Sequence, residues 1–180
     1  MIRILGLGVT GLLMACSPAL DWREAMLPSA SMSVSLPCKP EQARRPVALA
    51  GQSVEMHMVG CEADGATFAA ACAALPEPAL AGAALTHWRA AVWAGMQAPA
   101  QGQPGAPLDQ PFLPAGALDL PQSVRSVATG RQPGGDAVHA QAVWFARVRG
   151  PQVSVCHAIV LSAQPRPAVA DAFIAGLALR

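Results

Sequence analysis

Apolar and polar residues alternate through most of this chain. Met32, Val34 and Leu36 alternate with Ser33, Ser35 and Pro37, a period of two that predicts a half-buried strand. Pro37-Cys38-Lys39-Pro40 must turn. Val47 and Leu49 alternate again, Ala50-Gly51-Gln52 makes a tight connection, and Val54, Met56 and Met58 continue the pattern as the second arm of a hairpin. Ala63-Asp64-Gly65 is a further turn, followed by a strand from Thr67 to about Ala74. The period then changes. Leu80, Ala84, Trp88, Ala91, Val92 and Met96 recur at helical spacing, which predicts one amphipathic helix from about Pro78 to Gln97.

Residues 98–122 hold six prolines and three glycines and read as loop. From Ser123 the alternation returns. Val124 to Gly130, the turn Pro133-Gly134-Gly135-Asp136 and Val138 to Val148 predict a second hairpin. Its second arm is apolar throughout Ala142-Val143-Trp144-Phe145-Ala146, as in a strand covered on both faces. Val153 to Leu161 is a last strand, and Val169, Phe173, Ile174, Leu177 and Leu179 make a closing helix. Strands running in short hairpins predict an α+β fold, one hairpin-rich antiparallel sheet of about six to seven strands packed with two main helices, and argue against βαβ units.

The N-terminal residues follow a different pattern. Met1-Ile2-Arg3 precedes an uncharged run from Ile4 to Met14, and Leu13-Met14-Ala15-Cys16 closes it. A basic start, an apolar stretch and a small residue before a cleavage point make the layout of a secretory signal. The last four residues resemble the lipobox of bacterial lipoproteins. In that family the chain is cut before the cysteine, which carries diacylglycerol and an acylated amino terminus. The resemblance implies a signal peptide over 1–15, acylation at Cys16 and a membrane anchor that faces the periplasm. Ser17 is not the Asp that tends to retain such proteins in the inner membrane, so the periplasmic side of the outer membrane is the expected location. Gly6-Leu7-Gly8-Val9-Thr10-Gly11 also matches the dinucleotide fingerprint, but Pro18 stops the helix that the fingerprint needs. Cys16 to about Ser31 reads as a polar tether, leaving 32–180 as a single domain.

Asp21-Trp22-Arg23-Glu24, Leu36-Pro37-Cys38-Lys39-Pro40 and Ala63-Asp64-Gly65-Ala66-Thr67-Phe68-Ala69 resemble a group of uncharacterised lipoproteins of Gram-negative bacteria. That resemblance implies location and fold without an activity. The element order is also similar to the PsbP/Mog1-type sandwich, whose members are mostly binding or assembly factors.

Composition narrows the chemistry. The chain has 180 residues, 53% of them hydrophobic and 13% charged, enough to bury a core. Its formal charge of +1, with Lys39 the only lysine, excludes the clustered cations of a nucleic-acid binder. Of the five cysteines, Cys16 is the expected lipid carrier, and Cys38, Cys61, Cys72 and Cys156 remain as an even set. Four cysteines allow three pairings. Cys38 with Cys61 is the expected one, because both close strands of the first meander, and Cys72 with Cys156 is the remainder. No C-x-x-C, H-E-x-x-H, G-x-S-x-G, S-x-x-K or P-loop occurs. No catalytic residue and no cofactor is therefore expected.

Met56-His57-Met58 suggests copper, since thioethers and imidazole suit Cu(I). On a strand, however, His57 points away from Met56 and Met58, so a site would need Met26, Met32 or another histidine brought in by the fold. Cys156 and His157 likewise face opposite ways, and a hydrogen-bonded core histidine is the expectation at His157. Arg125, Arg131, Arg147 and Arg149 make a candidate basic strip. The function these residues suggest is a lipid-anchored envelope protein that binds a partner protein or serves assembly. The alternative is a periplasmic metal or small-ligand binder using the Met and His residues.

Overall fold

The computed structural model describes residues 20–132 and 134–180. The signal segment, Cys16, the Gly6–Gly11 fingerprint and Pro133 lie outside them. Ten strands form two antiparallel sheets, with two α-helices, so the protein is mainly β and of the α+β kind expected. The strands are β1 (Arg23–Leu27), β2 (Met32–Leu36), β3 (Glu41–Leu49), β4 (Gln52–Ala63), β5 (Ala66–Leu75), β6 (Leu108–Pro111), β7 (Val124–Arg131), β8 (Ala137–Arg149), β9 (Gln152–Ser162) and β10 (Leu177–Leu179). The helices are α1 (Ala81–Gly95) and α2 (Pro167–Ala175). Seven strands make the large sheet in the order β3-β4-β5-β9-β8-β7-β6, and β1-β2-β10 make a small one.

The large sheet separates two cores. On one face Ala81, Ala84, Leu85 and Trp88 of α1 pack on Met56, Ala71, Ala73, Trp144, Val155 and Ile159. On the other the small sheet and α2 bury Leu27, Met32, Val34, Leu36, Phe173 and Ile174 against Val59, Phe68, Val143, Phe145 and Val160. The ring of Phe68 meets that of Phe173 edge-on at 5.6 Å. Strands β8 and β9 are covered on both faces, which is why their sequences are nearly continuous apolar runs.

Several expectations need correction, first that of one sheet of six to seven strands, since ten strands divide into sheets of seven and three. Of the tether expected over 16–31, the part from Arg23 on is folded instead: Arg23–Leu27 is a strand laddered to β2, with Ala25 and Leu27 buried. The strand at Met32–Leu36 does not join the first meander; it is the centre of the separate small sheet. The closing helix stops at Ala175, and Leu177–Leu179 pairs with Val34–Met32 as β10. Gly176 makes that close approach possible, since a Cβ there would stand 2.7 Å from the Cβ of Ser35. The Pro/Gly loop at 98–122 also contains the short edge strand β6 and a bridge from Leu118 to Ala146.

Candidate functional site

Both expected cysteine pairs are bridged. Cys72 and Cys156 stand directly opposite in the β5–β9 ladder, with Cα atoms 4.2 Å apart. Cys38 and Cys61 are joined at a Cα separation of 5.9 Å. Their bridge does not link strands of one meander. It ties the segment between the two sheets to β4 of the large sheet. The four cysteines of the described residues therefore pair among themselves, and Cys16 is the one left over.

The histidines and methionines of the copper alternative are dispersed. Met56 is buried under α1 and Met58 is half-buried on the same face. His57 is on the opposite face, where Nε2 lies 2.7 Å from a carboxylate oxygen of Glu55. The fold does bring a distant soft ligand towards it: Met26 lines a cavity of about 160 Å³ together with His57 and Met58, although the pleat turns the Met58 side chain to the other face. Arg44 lines that cavity too, directly across the ladder from His57. A guanidinium beside two donors disfavours a cation. Met32, the other methionine considered, is fully buried in the core.

His157 belongs to an aromatic stack. Its ring lies parallel on Trp144 at 4.6 Å and edge-on to Trp88 at 5.4 Å, and Trp93 closes on Trp144 at 5.1 Å. Nδ1–H donates to the carbonyl of Val143 at 3.2 Å. Burial pushes the imidazole pKa from 6.5 down to about 4, against a smaller upward pull from that hydrogen bond. The ring is neutral at neutral pH and is a packing element of the core beneath α1.

The arginines do not form a basic strip. Arg147 donates to the carbonyls of Ala30 and Ser31 at 2.9 Å and to the carbonyl of Arg180, while Arg149 donates to Ser31 Oγ. These two clamp the β1–β2 turn and the chain's end to β8. Arg125 pairs with Asp171 and Gln141, and Arg131 caps the Gly135 turn. Each guanidinium is engaged by the protein itself.

One open feature was not anticipated from sequence. A groove of about 710 Å³ runs over the ends of β3, β4 and β5. The pleat places Ala43, Met58, Gly60 and Ala69 on the α1 side of the large sheet, beyond the helix, as a floor of small and thioether side chains. Glycine is required at 60, because a Cβ there would approach the carbonyl oxygen of Phe68 to 2.7 Å. Lys39, Glu41, Gln42, Glu62 and Thr67 form a polar rim, with Cys38 and Cys61 at the margin. Along one side runs β3, an edge strand of the large sheet with no further strand beside it among the described residues, exposed over nearly its whole length and interrupted by Pro46. Its unpaired backbone groups are a template for another strand, which Pro46 restricts by removing one donor.

A second cleft, of about 630 Å³, lies between Arg89 of α1 and the β6–β7 segment. Arg89 pairs there with Asp109 at 2.7 Å, the hydroxyl of Ser126 donates to the same carboxylate, and Asp119 adds one exposed carboxylate. No group of three or more His, Cys, Asp or Glu side chains among the described residues is placed to hold a metal ion. No helix among them is long and apolar enough to cross a membrane. Comparison with protein-family models, with curated proteins and with solved structures finds no match to this chain.

Proposed function

We propose that this protein is a lipid-anchored component of a bacterial envelope, held through Cys16, and that the groove over β3–β5 binds an extended segment of a partner protein. The groove carries the reading. It combines an apolar floor, a polar rim and a sheet edge, the features by which an extended peptide is held through backbone bonds and side-chain pockets. The anchor is supported by the lipobox resemblance at Leu13–Cys16 and by the pairing of every other cysteine. Two disulfides, both in the core between the large sheet and the small one, suit an oxidising compartment. The sequence offers no catalytic motif, and the reading assigns no chemical step.

Two measurements test it. Metabolic labelling with a fatty-acid analogue should label the parent protein and leave Cys16→Ala unlabelled and outside the membrane fraction. A photo-crosslinking residue placed at Ala69 should capture one discrete envelope protein. Met58→Glu, which puts a charge on the groove floor at a half-buried position, should reduce that adduct at least tenfold with the melting temperature shifted by only a few degrees. An adduct unaffected by Met58→Glu excludes the groove as the site.

A further inference from the structure

Strand β1 shortens the leash between the anchor and the folded domain. Leu20 is the first described residue, and the backbone amide of Asp21 donates to the carbonyl of Pro37 at 2.8 Å, so the fold is pinned from Asp21 onward. Four residues, 17 to 20, lie between Cys16 and Asp21, which makes five steps along the chain. Fully extended they reach at most about 17 Å. A domain of this size is roughly 40 Å across. A leash shorter than the body it holds cannot let the domain tumble freely, and it presents one end of the molecule to the membrane.

The residues at that end suit the role. Trp22, the next residue after the pinned Asp21, is 40% exposed, although it is among the largest apolar side chains in the protein. On the same outward side of β1 Met26 is 39% exposed. Tryptophan is the side chain that most favours the membrane–water interface, where its ring meets acyl chains and its N–H meets headgroups. Arg23 pairs with Asp21 and Arg180 with Glu24, while Arg44, in the cavity that Met26 lines, and Lys39 have no ion-pair partner among the described residues, so the charge left over at this end is positive and does not oppose a phospholipid surface. Lys39, two residues beyond Pro37, lines the groove, which puts the groove's margin at the same end.

We infer that the domain rests on the phospholipid bilayer through the Trp22 end of β1, with Trp22 seated in the interface and the groove opening beside the membrane surface. This rests on the proposed anchorage at Cys16. It adds an orientation that the anchor alone does not specify.

The test uses the full chain purified from envelopes with its natural N-terminus and reconstituted in phosphatidylcholine vesicles whose acyl chains carry bromine. Short-range quenching by bromine reads which tryptophans touch lipid, and Trp88 and Trp144 are buried internal references. The expected result is quenching in the parent that falls at least threefold in Trp22→Phe, with both proteins melting at the same temperature. Zwitterionic phosphatidylcholine alone should suffice for this result. The mass of the N-terminal peptide is recorded in parallel. Acylated Cys16 with equal quenching in parent and Trp22→Phe overturns the orientation and leaves the anchor standing. An unmodified N-terminus overturns both.

Discussion

His157 shows how far one residue's behaviour is set by what covers it. In sequence it is a polar position on an apolar strand face; in the fold it is sealed between Trp144 and Trp88. Because its folded pKa is about 4 against 6.5 in an unfolded chain, the unfolded state takes up the proton first as pH falls. The sign is therefore fixed. Stability is at its plateau above pH 6.5, declines between 6.5 and 4 by about 1.4 kcal/mol per unit, and levels off after a loss of about 3 kcal/mol. Urea unfolding at pH 6.5 and pH 5 should show the parent losing about 2 kcal/mol more than His157→Phe, which has no proton to take. Equal pH dependence in the two proteins would mean that the imidazole is not held neutral. The alternation of β9 fixed which way His157 points, and that much was legible. Its two aromatic neighbours from α1 and β8 were not, since they are distant in sequence.

Among the elements, the small sheet depends most on covalent and polar ties to the rest. The β1–β2 turn is held by Arg147, by Arg149 and by Ser154, whose hydroxyl donates to the carbonyl of Ser29 at 2.6 Å. The Cys38–Cys61 bridge ties the segment that follows β2. The two disulfides close loops of very different length, with sequence separations of 23 and 84. On the chain-entropy account they contribute about 3 and about 4.5 kcal/mol. Replacing Cys72 and Cys156 together by alanine should cost more in the urea midpoint than replacing Cys38 and Cys61, because the longer loop is freed and a fully buried pair is removed from the sheet centre. The reverse order would show that the small sheet's attachment, not the loop closure at the centre, limits stability. Element prediction failed where the local pattern was short or absent. Arg23–Leu27 is two charged residues followed by helix formers, and Leu108–Pro111 is exposed at every position, with Leu108 at 72%. Neither carries a period that a sequence can display. Each is a strand because a neighbour supplies its ladder.

At the scale of the whole molecule, β9 is the middle strand of the large sheet, between β5 and β8, with a core on each face. Opening it means breaking both cores, whereas β6 and β3 are single-sided edges. Native-state hydrogen exchange should therefore find the slowest amides in β5, β8 and β9, near the global unfolding limit, and β6 faster by at least a hundredfold. Comparable protection of β6 and β9 would contradict this ordering.

Read alone, the sequence determined the secondary structure from Met32 onward to a good approximation, because periods of two and 3.6 are written in local side-chain order. It determined the antiparallel, hairpin-rich character, because a short polar connection between two strands favours a hairpin, and it marked Cys16 as the odd cysteine of five. Only the tertiary structure decided that the strands divide into sheets of seven and three. That division rests on Leu27, Val34 and Leu177 meeting in one core, a contact between the two ends of the chain that no local pattern encodes. It also decided that Met26 comes to the cavity that His57 lines, that Arg147 and Arg149 act as clamps, and that a groove opens over Gly60. Each depends on which sheet face a helix covers and which it leaves open, and that is settled by packing between segments far apart in the chain.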